Sequence, residues 1–314
     1  MPDRVYAVGG LASLPWGGPS QEPTVSNPTI RFTVFTKPWR EPLAELARHV
    51  RKLDFDGIEL PVRPGFQVEP SAVVRDLPAA ALLLADEGVR IASVAGAADE
   101  ATIEACALAR IPLIRTLVKI PPGGQYLAST EEALRQIERL TPRLQQAGVC
   151  LGIQNHCYRE ISSVMGLREL VRRFDPNQVA AVLDVGHCGL AGELPDLALD
   201  AVWSHLRLVN FKNACWQLIA SSDGAPAQYQ CVFTPGREGM AHWPTFAREL
   251  RQRGYRGDIC LTAEYSDSRQ PGQPRRESDL VHYAPGLEYD RDPQRFEQLL
   301  RQDLAFARSL FAIA

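Results

Sequence analysis

The chain has 314 residues, 45% of them hydrophobic and 23% charged, with a formal net charge of −3. That length and balance suit one globular domain with a substantial core, and the mildly acidic total offers no basic field for nucleic acid or anionic lipid. No stretch approaches the ~20 apolar residues of a bilayer-spanning helix, and seven cysteines without a CxxC pair read as reduced thiols of a cytoplasmic protein.

Residues 1–28, "MPDRVYAVGGLASLPWGGPSQEPTVSNP", carry Gly, Pro and Ser throughout and no apolar segment of signal-peptide length. They are expected to form an arm before a single domain over 29–314. The first apolar, β-branched run is "TIRFTVF". It is followed by "EPLAELARHVRKL", where Leu43, Leu46, Ala47, Val50 and Leu53 share one helical face and Pro42 suits the first turn. "GIEL" comes next, then a predicted helix from Ser71 to Glu87 closed by Gly88. "VRIASVAG" precedes a helix around Glu100 to Ala109. "PLIRTLVKI" precedes a helix that ends at Gly148, with Ser129 and Glu132 as its capping box.

The second half repeats the alternation. "VCLGIQ", "VAAVLD", "LRLVNF" and "DICLTAEY" read as strands, with helices near Leu167–Phe174, Pro195–Trp203, Trp243–Arg253 and Pro293–Ala312. Strict β–α alternation implies a parallel sheet with right-handed crossovers, and eight such units imply a closed (β/α)8 TIM barrel. An insertion from Ser266 to Asp290, containing "DSRQPGQPRRES", reads as a lid-like loop after strand eight.

Active sites of such barrels form at the C-terminal ends of the strands. The polar residues there are Glu59, Lys119, Gln154 with Asn155 and His156, Asp184 with His187, then Asn210, Lys212 and Asn213, and Glu264. Two acids, Asp184 and Glu264, therefore reach one rim from different strands. Imidazole, amide and ammonium groups lie between them.

The segments "GIELPV", "LGIQNH", "LDVGH", "VNFKNA", "PGREGMAHW" and "LTAEYS" resemble, in order and placement, the xylose-isomerase-like TIM barrels. The resemblance implies sugar or sugar-phosphate isomerase and epimerase chemistry at one divalent metal. Its ligand set carries over to Gln154, Asp184, Asn210 and Glu264. Two of these four are amides where the family has Glu and His, and the family's "H-x-K-D" reads "NFKN". The resulting all-oxygen set suits Mn²⁺ or Mg²⁺ over Zn²⁺. The alternative is a metal-free pocket in which Asp184 pairs with Lys212 or His187.

Gln154 cannot take a proton, so the family's two-base scheme gives way to Glu264 as a single base. Lys212 or His187 is then expected to polarise the carbonyl. Glu59, Lys119, His156 and Asn213 are the substrate contacts, with a salt bridge to Arg63 or Lys119 as the competing role of Glu59. The expected function is proton transfer next to the carbonyl of a small carbohydrate-like substrate, by an isomerase, an epimerase or a dehydratase. The alternative is a barrel that lost catalysis and binds sugars or regulates. A homo-oligomer is expected by analogy.

Overall fold

A computed structural model describes residues 30–222, 225–266 and 292–312. Eight parallel strands close into a barrel: β1 (Arg31–Phe35), β2 (Gly57–Pro61), β3 (Ile91–Ala95), β4 (Leu113–Thr116), β5 (Cys150–Gln154), β6 (Val179–Asp184), β7 (Leu206–Phe211) and β10 (Asp258–Leu261). The closing pair is β1 with β10, in register from Arg31 opposite Asp258 to Val34 opposite Leu261. These strands read as continuous apolar runs because both faces are covered. One face packs under the helices. Alternate residues of the other, including Leu113, Cys150, Val182, Leu208 and Cys260, fill the barrel interior. Gly152 faces the same interior. A Cβ there would stand 2.6 Å from a Val182 methyl, so only glycine fits.

The outer helices follow the expected order: α1 (Leu43–Lys52), α2 (Val73–Asp86), α3 (Glu100–Leu108), α4 (Tyr126–Ala147), α5 (Val164–Val171), α7 (Pro195–Val202), α8 (Trp243–Gln252) and a final helix, Pro293–Phe311. Two starts differ from the sequence reading. Helix α4 begins at Tyr126, and the Ser129 backbone N–H already bonds the carbonyl of Gln125. Ser129 therefore lies inside the helix and caps nothing. Helix α5 begins at Val164 because the Ser163 hydroxyl accepts from the Gly166 N–H at 3.0 Å.

Two further elements were not expected. Asp184 caps a short helix, α6 (Val185–Leu190). After β7 the chain leaves the barrel as an antiparallel hairpin, β8 (Asn213–Ser222) and β9 (Ala225–Thr234), with Ser222 opposite Ala225. The sequence held its signal: Asp223–Gly224 stands between alternating Ala214, Trp216, Leu218 and Tyr229, Cys231, Phe233. The expected arm and nearly all of the expected lid lie outside the described residues. All seven cysteines are free thiols, and among the described residues no helix is long and apolar enough to cross a membrane.

Candidate active site

The strand ends bring together an alternating ring of charges. Glu59, in the middle of β2 and fully buried, accepts from the Arg115 guanidinium at 2.8 and 2.5 Å and from the Ser93 hydroxyl at 3.0 Å. Arg115 turns its remaining fork arm onto Gln154 Oε1 at 2.5 Å. Gln154 Nε2 in turn donates to Asp184 Oδ2 at 2.8 Å. Across the rim, Lys212 Nζ lies 3.7 Å from Asp184 and 2.5 Å from Glu264, whose other oxygen takes Lys37 Nζ at 2.7 Å. Three carboxylates therefore meet three cations through one amide, all nearly excluded from water. Only such compensation makes so many buried charges tolerable.

Local structure holds the two residues nearest the centre. The backbone carbonyl of Lys212 accepts from the buried Trp243 indole at 2.9 Å, and that ring stacks on Phe211 with centroids 4.3 Å apart. The Lys212 ammonium sits 4.3 Å from the centre of the Phe233 ring, brought in by the hairpin. Glu264 follows Ala263, whose φ of +52° lies in the left-handed region. A non-glycine residue there costs about 1–2 kcal/mol, and this one marks the bend that carries Glu264 off the strand.

Burial alone pushes Glu264 upward, but Lys212 and Lys37 outweigh it and hold the carboxyl well below the usual carboxylate range. Burial likewise works to lower Lys212, yet Glu264 and Asp184 hold it above its ordinary value. His187 is different. Burial first, then Lys212 and His156, push it well below its usual value, so its imidazole is neutral.

A cavity of about 460 Å³ opens above this ring, and its wall includes Lys119, Gln154, His156, Lys212 and Glu264 from the sequence-predicted set. The other expected contacts are placed elsewhere. Glu59 is locked beneath the wall by Arg115, so neither an exposed substrate contact nor a pair with Arg63 or Lys119 describes it. Asn213 is a bracket: its Nδ2 donates to the carbonyls of Gly236 and Ala241 at 3.0 Å each, and its Oδ1 accepts from the backbone of Ala214 and Ala241. His187 stands behind Lys212, its Nε2 3.3 Å from that ammonium and its ring 4.1 Å from the His156 ring. It does not face the cavity, because α6 turns it inward. The sequence reading missed Lys37 and Arg115, and named Arg63 only as a partner for Glu59. A charge inside the apolar run "PLIRTLV" was the available signal for Arg115.

The expected ligands do not fit a divalent cation. Arg115 can only donate, so Gln154 must present its oxygen to Arg115 and its NH₂ toward Asp184. An amide NH₂ is no metal ligand. Lys212 already supplies positive charge to both Asp184 and Glu264, and Lys37 adds more. Asn210 is fully buried, and among the described residues neither of its amide atoms has a hydrogen-bond partner. One free oxygen does not offset a donor at the second position and ammonium groups at the other two. Separately, among the described residues one set of side chains is close enough to hold an ion: His156, Cys157 and His187, with ligand atoms within 4.8 Å of one another.

With this geometry in view, comparison with known proteins decides the family. The model of the xylose isomerase-like TIM barrel matches residues 47–283. The chain belongs to this family. Among characterised relatives it is similar to an inosose dehydratase of Lacticaseibacillus casei, 22% identical over 138 residues, covering 42% of this chain and 46% of that protein. An inosose dehydratase of Mesomycoplasma hyopneumoniae is 24% identical over 152 residues, covering 46% and 48%. The chain thus matches about half the length of these relatives. Its fold is similar to that of D-psicose 3-epimerase from Clostridium cellulolyticum H10, with TM-score 0.66 and 13% identity over 90% of this chain and 100% of that one. For 3-keto-D-glucoside 4-epimerase from E. coli the values are 0.59 and 15%, over 90% and 100%. At these identities the likeness concerns the fold.

Proposed function

We propose that this barrel is an enzyme that moves a proton next to the carbonyl of a small polyhydroxy compound, as an isomerase or a dehydratase. The carrying observation is Glu264: a carboxylate at the end of the last barrel strand, on the cavity wall, held ionised between two ammonium groups. The epimerase and dehydratase names of the similar proteins support the same class of chemistry.

Lys212 and Lys37 are the electrophiles. A carbonyl oxygen seated against their N–H groups is polarised, and the negative charge of the enediolate develops beside fixed cations in a water-poor site. Glu264 takes the proton from the adjacent carbon. A carboxylate held so far below its usual range is a weak base, but a substrate oxygen that takes over an N–H of Lys212 relieves part of that hold. Gln154 stands where an opposed second carboxylate would be needed, so the proton leaves and returns on one face. That suits aldose–ketose isomerisation, or elimination of a neighbouring hydroxyl, better than two-base epimerisation. His156 lines the cavity with Nδ1 3.5 Å from Glu160 and is placed to assist a departing hydroxyl. No step uses a metal, because the donor set opposes one.

The test is carbon–hydrogen exchange in D₂O, followed by NMR, with ketohexoses, inososes and hydroxylated keto acids. Exchange that Glu264→Gln abolishes supports the proposal. Tight binding without exchange for every compound would instead leave a sugar-binding protein that has lost catalysis.

A further inference from the structure

The cavity wall is far more basic than the chain. Its charged lining comprises Lys37, Arg63, Arg115, Lys119, Arg159 and Lys212 against Glu160 and Glu264, six basic residues to two acidic, in a protein whose net charge is −3. Much of this is committed. Arg115 is neutralised by Glu59 below, Lys37 and Lys212 share Glu264, and Arg159 clamps the backbone carbonyls of Ile120, Pro121 and Gly124. Glu160 faces His156.

Two cations remain uncommitted. Among the described residues the Arg63 guanidinium has no hydrogen bond and no ion pair. Its guanidinium lies 5.4 Å from the centre of the Phe35 ring, and the Glu59 and Glu264 carboxylates act on it only from beyond ion-pair distance. It is only partly exposed, and burial followed by the nearby Arg115 lowers its affinity for its own proton. A partly desolvated guanidinium beside like charge is costly unless something anionic completes it. Lys119, exposed on the same wall, has no carboxylate partner among the described residues either.

We propose that the substrate of this cavity is an anionic polyhydroxy compound whose oxyanion head is gripped by the Arg63 fork, with Lys119 beside it, while its carbonyl end lies against Lys212, Lys37 and Glu264. The inference rests on reading the cavity as the substrate site. It narrows the class from neutral sugars to sugar acids or sugar phosphates. A carboxylate and a phosphate both match a guanidinium bidentately, so the shared chemistry is the oxyanion and the experiment separates the two. The cavity, at about 460 Å³, has room for a six- or seven-carbon acid of ordinary ligand size.

The experiment is calorimetric binding of three matched probes, sorbitol, gluconate and sorbitol 6-phosphate, to the full chain at low and moderate salt. At least one anionic probe is expected to bind tenfold or more tightly than sorbitol, with a preference that weakens as salt rises. Arg63→Ala should bring that probe to the level of sorbitol, Arg63→Lys should restore part of the difference, and Lys119→Ala, at an exposed site that folding does not need, should reduce it severalfold. Whichever anion carries the preference identifies the head group. Equal binding of all three, no binding of either anion, or a preference that survives Arg63→Ala overturns the proposal. Anion-selective binding without carbon–hydrogen exchange would sink only the catalytic reading, whereas exchange on neutral sugars with no anion preference would sink only this one.

Discussion

Replacing Lys212 by Met removes the ammonium 2.5 Å from Glu264 and 3.7 Å from Asp184 but keeps a flexible apolar stem to fill the space. The two carboxylates are not left equally exposed to the loss. Glu264 keeps Lys37 at 2.7 Å, whereas Asp184 keeps only neutral donors, Gln154 Nε2 at 2.8 Å and the His187 backbone N–H at 3.3 Å. Breaking one partner of a buried ion pair costs about 3–5 kcal/mol, and with one counter-ion retained the expected loss is near the lower limit, about 3 kcal/mol at neutral pH.

The pH dependence follows from the direction of the Glu264 shift. Its folded carboxyl is held well below the usual range. In the native protein it therefore contributes stability that is present above the unfolded value and lost only as pH falls through the depressed folded one. In Lys212→Met that depression shrinks, so the gap between the two proteins should narrow below about pH 5 as the Glu264 carboxylate protonates. Urea unfolding at neutral pH and at about pH 4 reads both quantities. A loss under about 1 kcal/mol at neutral pH, the size of a surface pair, or a gap that widens in acid, would refute the reasoning.

Glu264→Gln should lower carbon–hydrogen exchange by about 10²–10⁴-fold, the usual worth of one positioned base, and a change under tenfold in exchange rate would remove Glu264 from that role. Asn213→Asp restores the residue usual in the family's motif yet should destabilise by about 2–4 kcal/mol, because a carboxylate cannot donate to the Gly236 and Ala241 carbonyls; unchanged thermal unfolding would contradict the bracket role. Asp303 is pushed up to about 6, chiefly by burial, against hydrogen bonds from the Gly236 N–H and the Tyr265 hydroxyl. A raised folded value means stability that is full below the unfolded range and lost as pH rises through about 6. Asp303→Asn should therefore flatten the decline in melting temperature between about pH 4 and pH 7, and identical slopes in the two proteins would rule this out.

Much of the fold was legible in the chain order of its residues. Several barrel strands are apolar runs that stop at a polar residue, as "CLGIQ" stops at Gln154 and "VAAVLD" at Asp184. The stops mark the rim, because a strand buried on both faces tolerates polar groups only where it leaves the barrel. The hairpin was legible as well, in the Asp–Gly pair that the sequence sets between alternating residues. Helix starts were less so, since Ser129 looks like a cap until the Gly124–Gln125 approach is known to begin the helix sooner.

By itself, then, the sequence determined the barrel and the strand ends from which Gln154, Asp184, Lys212 and Glu264 come. Which groups meet was decided only by the closed tertiary structure. Closure sets β10 beside β1, and the residues just past those strands, Glu264 and Lys37, then meet; position along a strand says nothing of that neighbour. The orientation of Gln154 is dictated by Arg115 from β4, and through it the second ligand position becomes a donor. In a low-dielectric rim each buried charge must find its opposite. Lys212 and Lys37 do so with the acids that the motif alone would have given to a metal.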